Sequence, residues 1–192
     1  MSKFNLNEAS ESSFPEYQRP GICKVTFTEV KLDKTGKSSI PFIKLITKSE
    51  SGAIGNSSQM FLSTEVKAGK KMAAWNVTAR NLVNILKAVR NCSEEEAKSL
   101  IVVDTQEQLV AKLSTLLVGH EVRAKFKGET SEKGNVFAIL AQTESITVPE
   151  PESILKYNPN FDIKEFQGVP QNNNSAPIDF STSEVADKDL PF

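Results

Sequence analysis

The sequence has few of the residues on which secreted, membrane and metal-dependent proteins rely. It contains one histidine, His120, and two cysteines, Cys23 and Cys92, which lie far apart and give no metal-ligand spacing. Unpaired thiols are typical of a reducing compartment. No apolar run reaches the roughly 18 residues that a membrane span needs, and the first residues contain no apolar signal segment. We therefore predict a cytoplasmic protein without a membrane partner.

Catalytic motifs are also missing. The chain has no glycine-rich phosphate loop, no His-Glu-x-x-His motif and no Gly-x-Ser-x-Gly motif. His120 follows Gly119 at the end of a predicted helix, where a histidine interacts favourably with the helix dipole and needs no catalytic role. Cys23 alternates with polar residues on the apolar side of a predicted strand, so it is expected in the core. The sequence thus predicts a protein that is not an enzyme and needs no cofactor or metal.

The net charge of −1 hides a strong asymmetry along the chain. Residues 21–148 contain 18 Lys and Arg against 13 Asp and Glu, whereas residues 149–192 contain 3 against 8. A basic body with an acidic tail is typical of nucleic-acid binders. The last segment also holds six of the nine prolines and shows no periodicity, which predicts disorder. We predict an N-terminal arm (1–20), one domain (21–148) and a disordered acidic tail (149–192).

Within the domain, the apolar periodicity predicts three strands, a helical segment and two more strands. The first strand, residues 22–32, changes phase after Phe27, which is how a β-bulge appears in a sequence. Residues 49–58 are polar and contain two glycines, which indicates an exposed loop. The predicted strands cover residues 22–32, 40–48, 59–63, 122–127 and 136–148. The predicted helices begin at Asn76 or Thr78, at the capping-box pattern of Ser93 and at that of Thr105.

This order of elements resembles the OB-fold, a five-stranded Greek-key barrel that binds oligonucleotides and oligosaccharides. In that fold a helix lies between strands three and four, where residues 76–118 stand in this chain. The helical insertion is larger than in most bacterial single-stranded DNA-binding domains and is closer to divergent phage versions. The resemblance implies a mainly β fold built as a barrel with a helical insertion, and the size of that insertion leaves a non-OB α+β domain as the alternative.

The last six residues carry a second resemblance. They read Asp-Lys-Asp-Leu-Pro-Phe, so that two apolar anchors follow two carboxylates and the terminal carboxylate lies on the last aromatic residue. This end resembles the Asp-Asp-Asp-Ile-Pro-Phe tip of bacterial single-stranded DNA-binding proteins, and phage proteins of this type often end similarly. The resemblance implies recruitment of replication or recombination proteins of the polymerase, helicase, primase or nuclease type. The partner-binding residues would be Asp187, Asp189, Leu190, Pro191 and Phe192.

A single-strand binder needs cations for the phosphates and aromatic rings for the bases. The candidate cations are Lys24, Lys44, Lys70, Lys71, Arg123, Lys125 and Lys127, and the candidate rings are Trp75, Phe42 and Phe61. Strand alternation places Arg123, Lys125 and Lys127 on one face, which is either a phosphate-binding row or a solvated outer face. Trp75 is either a stacking platform in a basic loop or a core residue at a helix start. The same two alternatives hold for Phe42 and Phe61, for which core positions are favoured.

Two functions from different classes fit these patterns. The first is sequence-independent binding and protection of single-stranded DNA during replication, recombination and repair, in a bacterial host cytoplasm if the protein is phage-encoded. The second is a protein-interaction or assembly adaptor on the same barrel that binds no nucleic acid. Either function permits a homo-oligomer.

Overall fold

The computed structural model describes residues 16–36 and 39–165, which form one mainly β structure with several helices. The predicted tip, residues 187–192, and most of the predicted arm lie outside the described residues. The strands are β1 (Gly21–Lys34), β2 (Pro41–Ser49), β3 (Ile54–Ser57), β4 (Met60–Phe61), β5 (Glu121–Thr130), β6 (Val136–Glu144) and β7 (Ile163–Lys164). The helices are α1 (Ala74–Arg90), α2 (Glu94–Ser99), α3 (Gln106–Leu117) and α4 (Pro159–Asp162), and a short 3₁₀ turn spans Glu150–Glu152.

The strands form one sheet whose pairings lead back to the first strand. β1 is antiparallel to β2, and β2 is antiparallel to both β3 and β4. β3 runs parallel to β6, β6 is antiparallel to β5, and β5 is antiparallel to β1. The order is therefore β1-β2-β3-β6-β5-β7, with β4 paired to β2, and β5 pairs in addition with β1.

The bulge predicted in the first strand is confirmed. The register between β1 and β2 shifts between Phe27 and Glu29, so Thr28 is the extra residue. Because of this shift, Val25 and Phe27 before the bulge and Val30 after it all reach the same core. The extra residue bends β1, which allows it to pair with β2 along one edge and β5 along the other.

The core lies between the inner face of the sheet and helices α1 and α3. Every second residue of β2 points inward, and these residues meet the apolar face that each helix presents at intervals of three and four residues. The inward residues of the sheet include Phe27, Ile43, Leu45, Val122 and Phe126, and those of the helices include Leu82, Leu86, Leu109, Leu113 and Leu117.

The helix starts agree only partly with the predictions. α1 begins at Ala74, earlier than the caps expected at Asn76 or Thr78, because Thr78 is buried and its hydroxyl donates to the carbonyl of Phe61 at 2.8 Å. The capping box at Ser93 is confirmed, with both reciprocal hydrogen bonds formed to Glu96. The Thr105 side chain caps α3 by accepting from the Gln108 backbone N–H.

The third strand lies in the segment that was expected to be an exposed loop. β3 covers Ile54–Ser57, and the strand predicted at residues 59–63 is reduced to the two-residue β4. The prediction of a loop was wrong because Gly55, one of the two glycines on which it depended, is buried within β3 and does not mark a turn. A Cβ at this position would lie 2.6 Å from the Phe126 ring and 2.7 Å from the Thr47 hydroxyl oxygen. Only glycine allows β3 to pass this close to the core.

The predicted boundary at residue 148 falls too early. Residues 149–165 pack on the sheet, where Leu155 is buried and β7 pairs in parallel with β5 at Gly128 and Glu129. The average composition of the acidic segment hid local signals. Asn158 caps α4 by accepting from the Asn160 N–H, and Asp162 is buried against basic side chains of β5.

Among the residues that the structure describes, no helix is both long and apolar enough to cross a membrane. The same residues contain no group of three or more His, Cys, Asp or Glu side chains that could hold a metal ion.

Candidate nucleic-acid interface

A cleft of about 480 Å³ lies between the end of β4, the loop that follows it and the first turn of α1. We call it the lysine cleft. Its lining residues are Thr35, Ile40, Phe61, Ser63, Glu65, Lys67, Lys70, Lys71, Met72, Ala73, Ala74 and Val77. The cleft brings together three of the predicted site residues: Phe61, Lys70 and Lys71.

The floor of the lysine cleft is apolar. Phe61 is half-buried, and Met72 leaves 46% of its surface exposed. Alternation along β2 and β4 places Phe42 and Phe61 on the outer face of the sheet, opposite the core residues Ile43 and Met60. There the two rings pack edge to face, with centroids 5.9 Å apart and planes at 66°. Phe61 can therefore offer a ring surface to a ligand, whereas Phe42 is buried and supports it.

The rim of the lysine cleft consists of exposed lysines on a short turn. Lys67 and Lys70 are tied together by a hydrogen bond from the Lys70 N–H to the Lys67 carbonyl, and Gly69 takes the positive φ of 75° that the turn requires. Within residues 16–36 and 39–165, no carboxylate forms an ion pair with Lys67, Lys70 or Lys71. These cations are exposed to solvent and available to an anionic ligand.

Lys44 extends this basic surface along β2. It lies two residues after Phe42 and therefore on the same outer face, directly opposite Lys31 of β1. Lys31 forms an exposed ion pair with Glu29 at 3.3 Å, and exposed pairs of this kind contribute little to stability. Lys44 thus adds one further lysine on the outer face of β2, two residues from Phe42.

The β5 row has a different environment. Arg123 donates to Glu144 at 3.0 Å and to the carbonyl of Val148 at 3.0 Å, and the Arg123 side chain is only 17% exposed. Lys125 is buried and pairs with Asp162 at 2.8 Å, while Lys127 lies 3.6 Å from the same carboxylate. The exposed basic row expected from alternation is therefore not formed, because residues 144–162 supply carboxylates that cover it.

Both carboxylates are held in their charged form. Hydrogen bonding to Lys125, then the backbone N–H of Asn158, lowers the pKa of Asp162 below its usual range. Burial alone would raise the pKa of Glu144, but hydrogen bonds from the Ser153 hydroxyl, the Ile154 N–H and Arg123 outweigh it and lower that pKa. The β5 cations and their carboxylates form an internal charge network, and these cations are less available to a ligand than those of the lysine cleft.

The two remaining predicted residues, Lys24 and Trp75, do not line the cleft. Lys24 pairs with Glu50 at 3.0 Å, and this hydrogen bond raises the pKa of the lysine. Trp75 packs against the hydrophobic core, and its backbone N–H donates to the carbonyl of Ser63. Of the two alternatives considered for Trp75, the structure gives the core residue.

Sequence reasoning missed several residues of this region. Lys67 was visible in the basic run before Met72, but Ile40, Met72 and Val77 come together only through the fold. Asp162 was missed because it lies in a segment whose average composition resembles disorder. The Asn158-Pro159 pair, a capping residue followed by the residue favoured at the first helical position, was the available signal.

No protein-family model matches this chain, and no curated protein matches it.

Proposed function

We propose that this protein binds single-stranded DNA without sequence preference, through the lysine cleft and the adjoining outer face of β2. The observation that carries the proposal is the combination of an apolar floor with three exposed lysines that have no carboxylate partner among the described residues. A mobile single strand presents phosphates and unstacked bases together, and this surface offers a partner for each.

We further propose that the scaffold is an OB-fold-like five-stranded barrel. The circuit β1-β2-β3-β6-β5 that returns to β1, the parallel β3–β6 pairing and the position of α1, α2 and α3 between β4 and β5 support this assignment. In OB-folds the ligand lies on the face of the second and third strands and against the adjoining loops. The loops in question join strands one to two and four to five; in this chain Thr35 and Ile40, at the ends of the β1–β2 connection, line the lysine cleft, and the outer face of β2 adjoins it.

In this mechanism the lysines neutralise phosphates and release condensed counterions, which supplies most of the affinity. Bases contact the ring of Phe61 and the thioether of Met72, with stacking on an aromatic ring contributing about 1–3 kcal/mol per base. No part of the described surface would need to read base edges, so sequence preference would be weak. The proposed role is protection of single strands during DNA replication, recombination and repair, in the cytoplasm of the cell or of a phage's bacterial host.

We also propose that the tip, Asp187 to Phe192, recruits replication or recombination proteins. Its acidic and apolar residues complement a basic pocket with an apolar centre, which is the recognition mode of acidic and terminal-carboxylate motifs. This part of the proposal rests on the sequence resemblance alone.

The test is fluorescence anisotropy with labelled oligo(dT) and a mixed-sequence single strand. We expect similar affinity for both strands and a loss of about tenfold or more between about 50 and 200 mM salt, as three or more phosphate contacts require. Failure to bind either strand at low salt would reject the proposal.

Failure to bind either strand would favour the adaptor function, and one feature of the structure supports that function. A cleft of about 660 Å³ between α1 and β6 is lined mainly by uncharged amides, hydroxyls and apolar groups, including Asn81, Asn84, Asn91, Gln142, Ser145 and Ile154. Such a surface suits an uncharged peptide better than a polyanion. Because the described residues that line this cleft include no cluster of cations, we propose that DNA binds at the lysine cleft instead.

A further inference from the structure

The outer face of the sheet continues beyond Lys44 as a shallow, partly apolar surface. Ile46 of β2 pairs in register with Asn56 of β3, which pairs with Ile139 of β6. All three are half-buried, and their neighbours along the strands, such as Leu45 and Leu140, point into the core. By alternation this row therefore lies on the same outer face as Lys44.

Two exposed aromatic residues lie at the far end of this face. Tyr17 is 65% exposed and Phe137 is 58% exposed. Tyr17 is fixed on β3, because the Ile54 N–H donates to the Glu16 carbonyl at 2.7 Å and the Gln18 N–H donates to the Ile54 carbonyl at 2.8 Å.

The strand register places both rings at one end of the face. Phe137 stands two residues before Ile139, and Ile54, the partner of Tyr17, stands two residues before Asn56, the partner of Ile139. Since β3 and β6 are parallel, Tyr17 and Phe137 share the same level of the sheet.

Exposed lysines of β2 and β7 lie in register with this end. Lys48 is exposed on β2 and pairs in register with Ile54, which pairs on its other side with Tyr17. Phe137 pairs in register with the exposed Glu129, which in turn pairs with the exposed Lys164 of β7. Single exposed aromatics are ordinary, but two rings at one end of a face that also carries cations form the combination that single-stranded nucleic acid requires.

We propose that Tyr17 and Phe137 form a second base-stacking site for the same DNA strand, which would run along β2 from the lysine cleft to this end. This inference rests on the proposed function. Lys48 stands six positions after Phe42 on β2, a length of about 20 Å at the rise of a β-strand. A short oligonucleotide would fill one site only, whereas a longer one would reach both.

The experiment compares the double variant Tyr17→Ala/Phe137→Ala with the control Phe161→Ala, which removes an aromatic residue that is 83% exposed on α4. Oligo(dT) probes of about 4 and about 16 nucleotides cover the range of site sizes for one such domain. We expect the double variant to lose about thirtyfold or more in affinity for the longer probe, since two stacked bases are lost. Its loss for the shorter probe should be much smaller, and the control should lose affinity for neither.

A second variant separates stacking from folding. Tyr17→Leu/Phe137→Leu keeps apolar volume but removes both rings, so it should fold and still lose affinity for the longer probe. Photocross-linking of wild-type protein to 5-iodouracil-substituted oligo(dT) should label peptides that contain Tyr17 or Phe137. If wild-type protein binds the longer probe, but the folded leucine variant binds it equally well and neither peptide is labelled, the second site is rejected and the lysine cleft stands. Failure of wild-type protein to bind either probe would reject both.

Discussion

Lys67, Lys70 and Lys71 of the lysine cleft and Arg123, Lys125 and Lys127 of β5 form two basic regions of equal formal charge. In the cleft the side chains project from a surface turn, and none has a carboxylate partner among the described residues. In β5 all three have carboxylates within ion-pair distance, and two of the three are largely removed from solvent. Among the described residues, the same residue types are therefore left exposed and unpaired in one region and are held in ion pairs in the other.

The difference follows from what each cation would lose on binding DNA. A solvated lysine exchanges water and diffuse counterions for a phosphate, which is favourable at low salt. A buried lysine such as Lys125 would first have to leave Asp162, which would then be an uncompensated buried charge. Position in a basic run or on a strand face is thus a poor guide to binding unless the neighbouring acids are known.

The largest expected effect comes from reversing a charge within the β5 network. Lys125→Glu would place a carboxylate beside Asp162, so it should destabilise the protein by at least about 3 kcal/mol, the lower end for a broken buried pair. For a chain of this size that corresponds to a fall in Tm of about 6–12 °C. Thermal unfolding followed by circular dichroism measures it. Lys133→Glu, an exposed reversal in the β5–β6 hairpin, is the control and should leave Tm nearly unchanged. Equal melting of the two variants would mean that the β5 network contributes nothing to folding.

A smaller effect on stability is expected when the carboxylates of the β5 network are neutralised by substitution or by low pH. The pKa values of Asp162 and Glu144 are lowered in the folded protein, so their stabilisation is complete above the ordinary carboxyl range and is lost as the pH falls through the lowered values. The Tm of Asp162→Asn/Glu144→Gln should therefore lie below that of wild type at pH 7. The difference between the two Tm values should narrow below about pH 4, where carboxyls titrate. A gap that stays constant across this range would show that charge is not what these residues contribute.

Much of the framework was predictable from the sequence, because it depends on local patterns. The bulge after Phe27 appeared as a change of phase, and the cap at Ser93 as a spacing of three residues to Glu96. Strand β3 was not predictable in this way. Gly55 allows β3 to pass close to the Phe126 ring, and this contact joins residues that are far apart in the sequence.

The candidate site was less predictable than the fold for the same reason. Alternation correctly separated Lys125 from Ala124, but it could not show that Asp162, nearly forty residues later, lies against that lysine. The sequence grouped Lys70 and Lys71 with Trp75 through proximity in the chain. In the structure the first turn of α1 instead directs Trp75 to the core and leaves Met72 and Val77 at the cleft.

The most direct test of the difference between the two basic regions is the salt dependence of oligo(dT) binding by two charge-matched variants. Lys70→Gln/Lys71→Gln removes two cleft charges, and Lys98→Gln/Lys112→Gln removes two from helices α2 and α3 outside the cleft. Each phosphate contact on a single strand contributes about 0.7 to the slope of log affinity against log salt. The cleft variant should therefore show a slope shallower by about 1.4, while the helix variant should keep the wild-type slope. Equal slopes for the two variants would contradict the assignment of DNA to the lysine cleft.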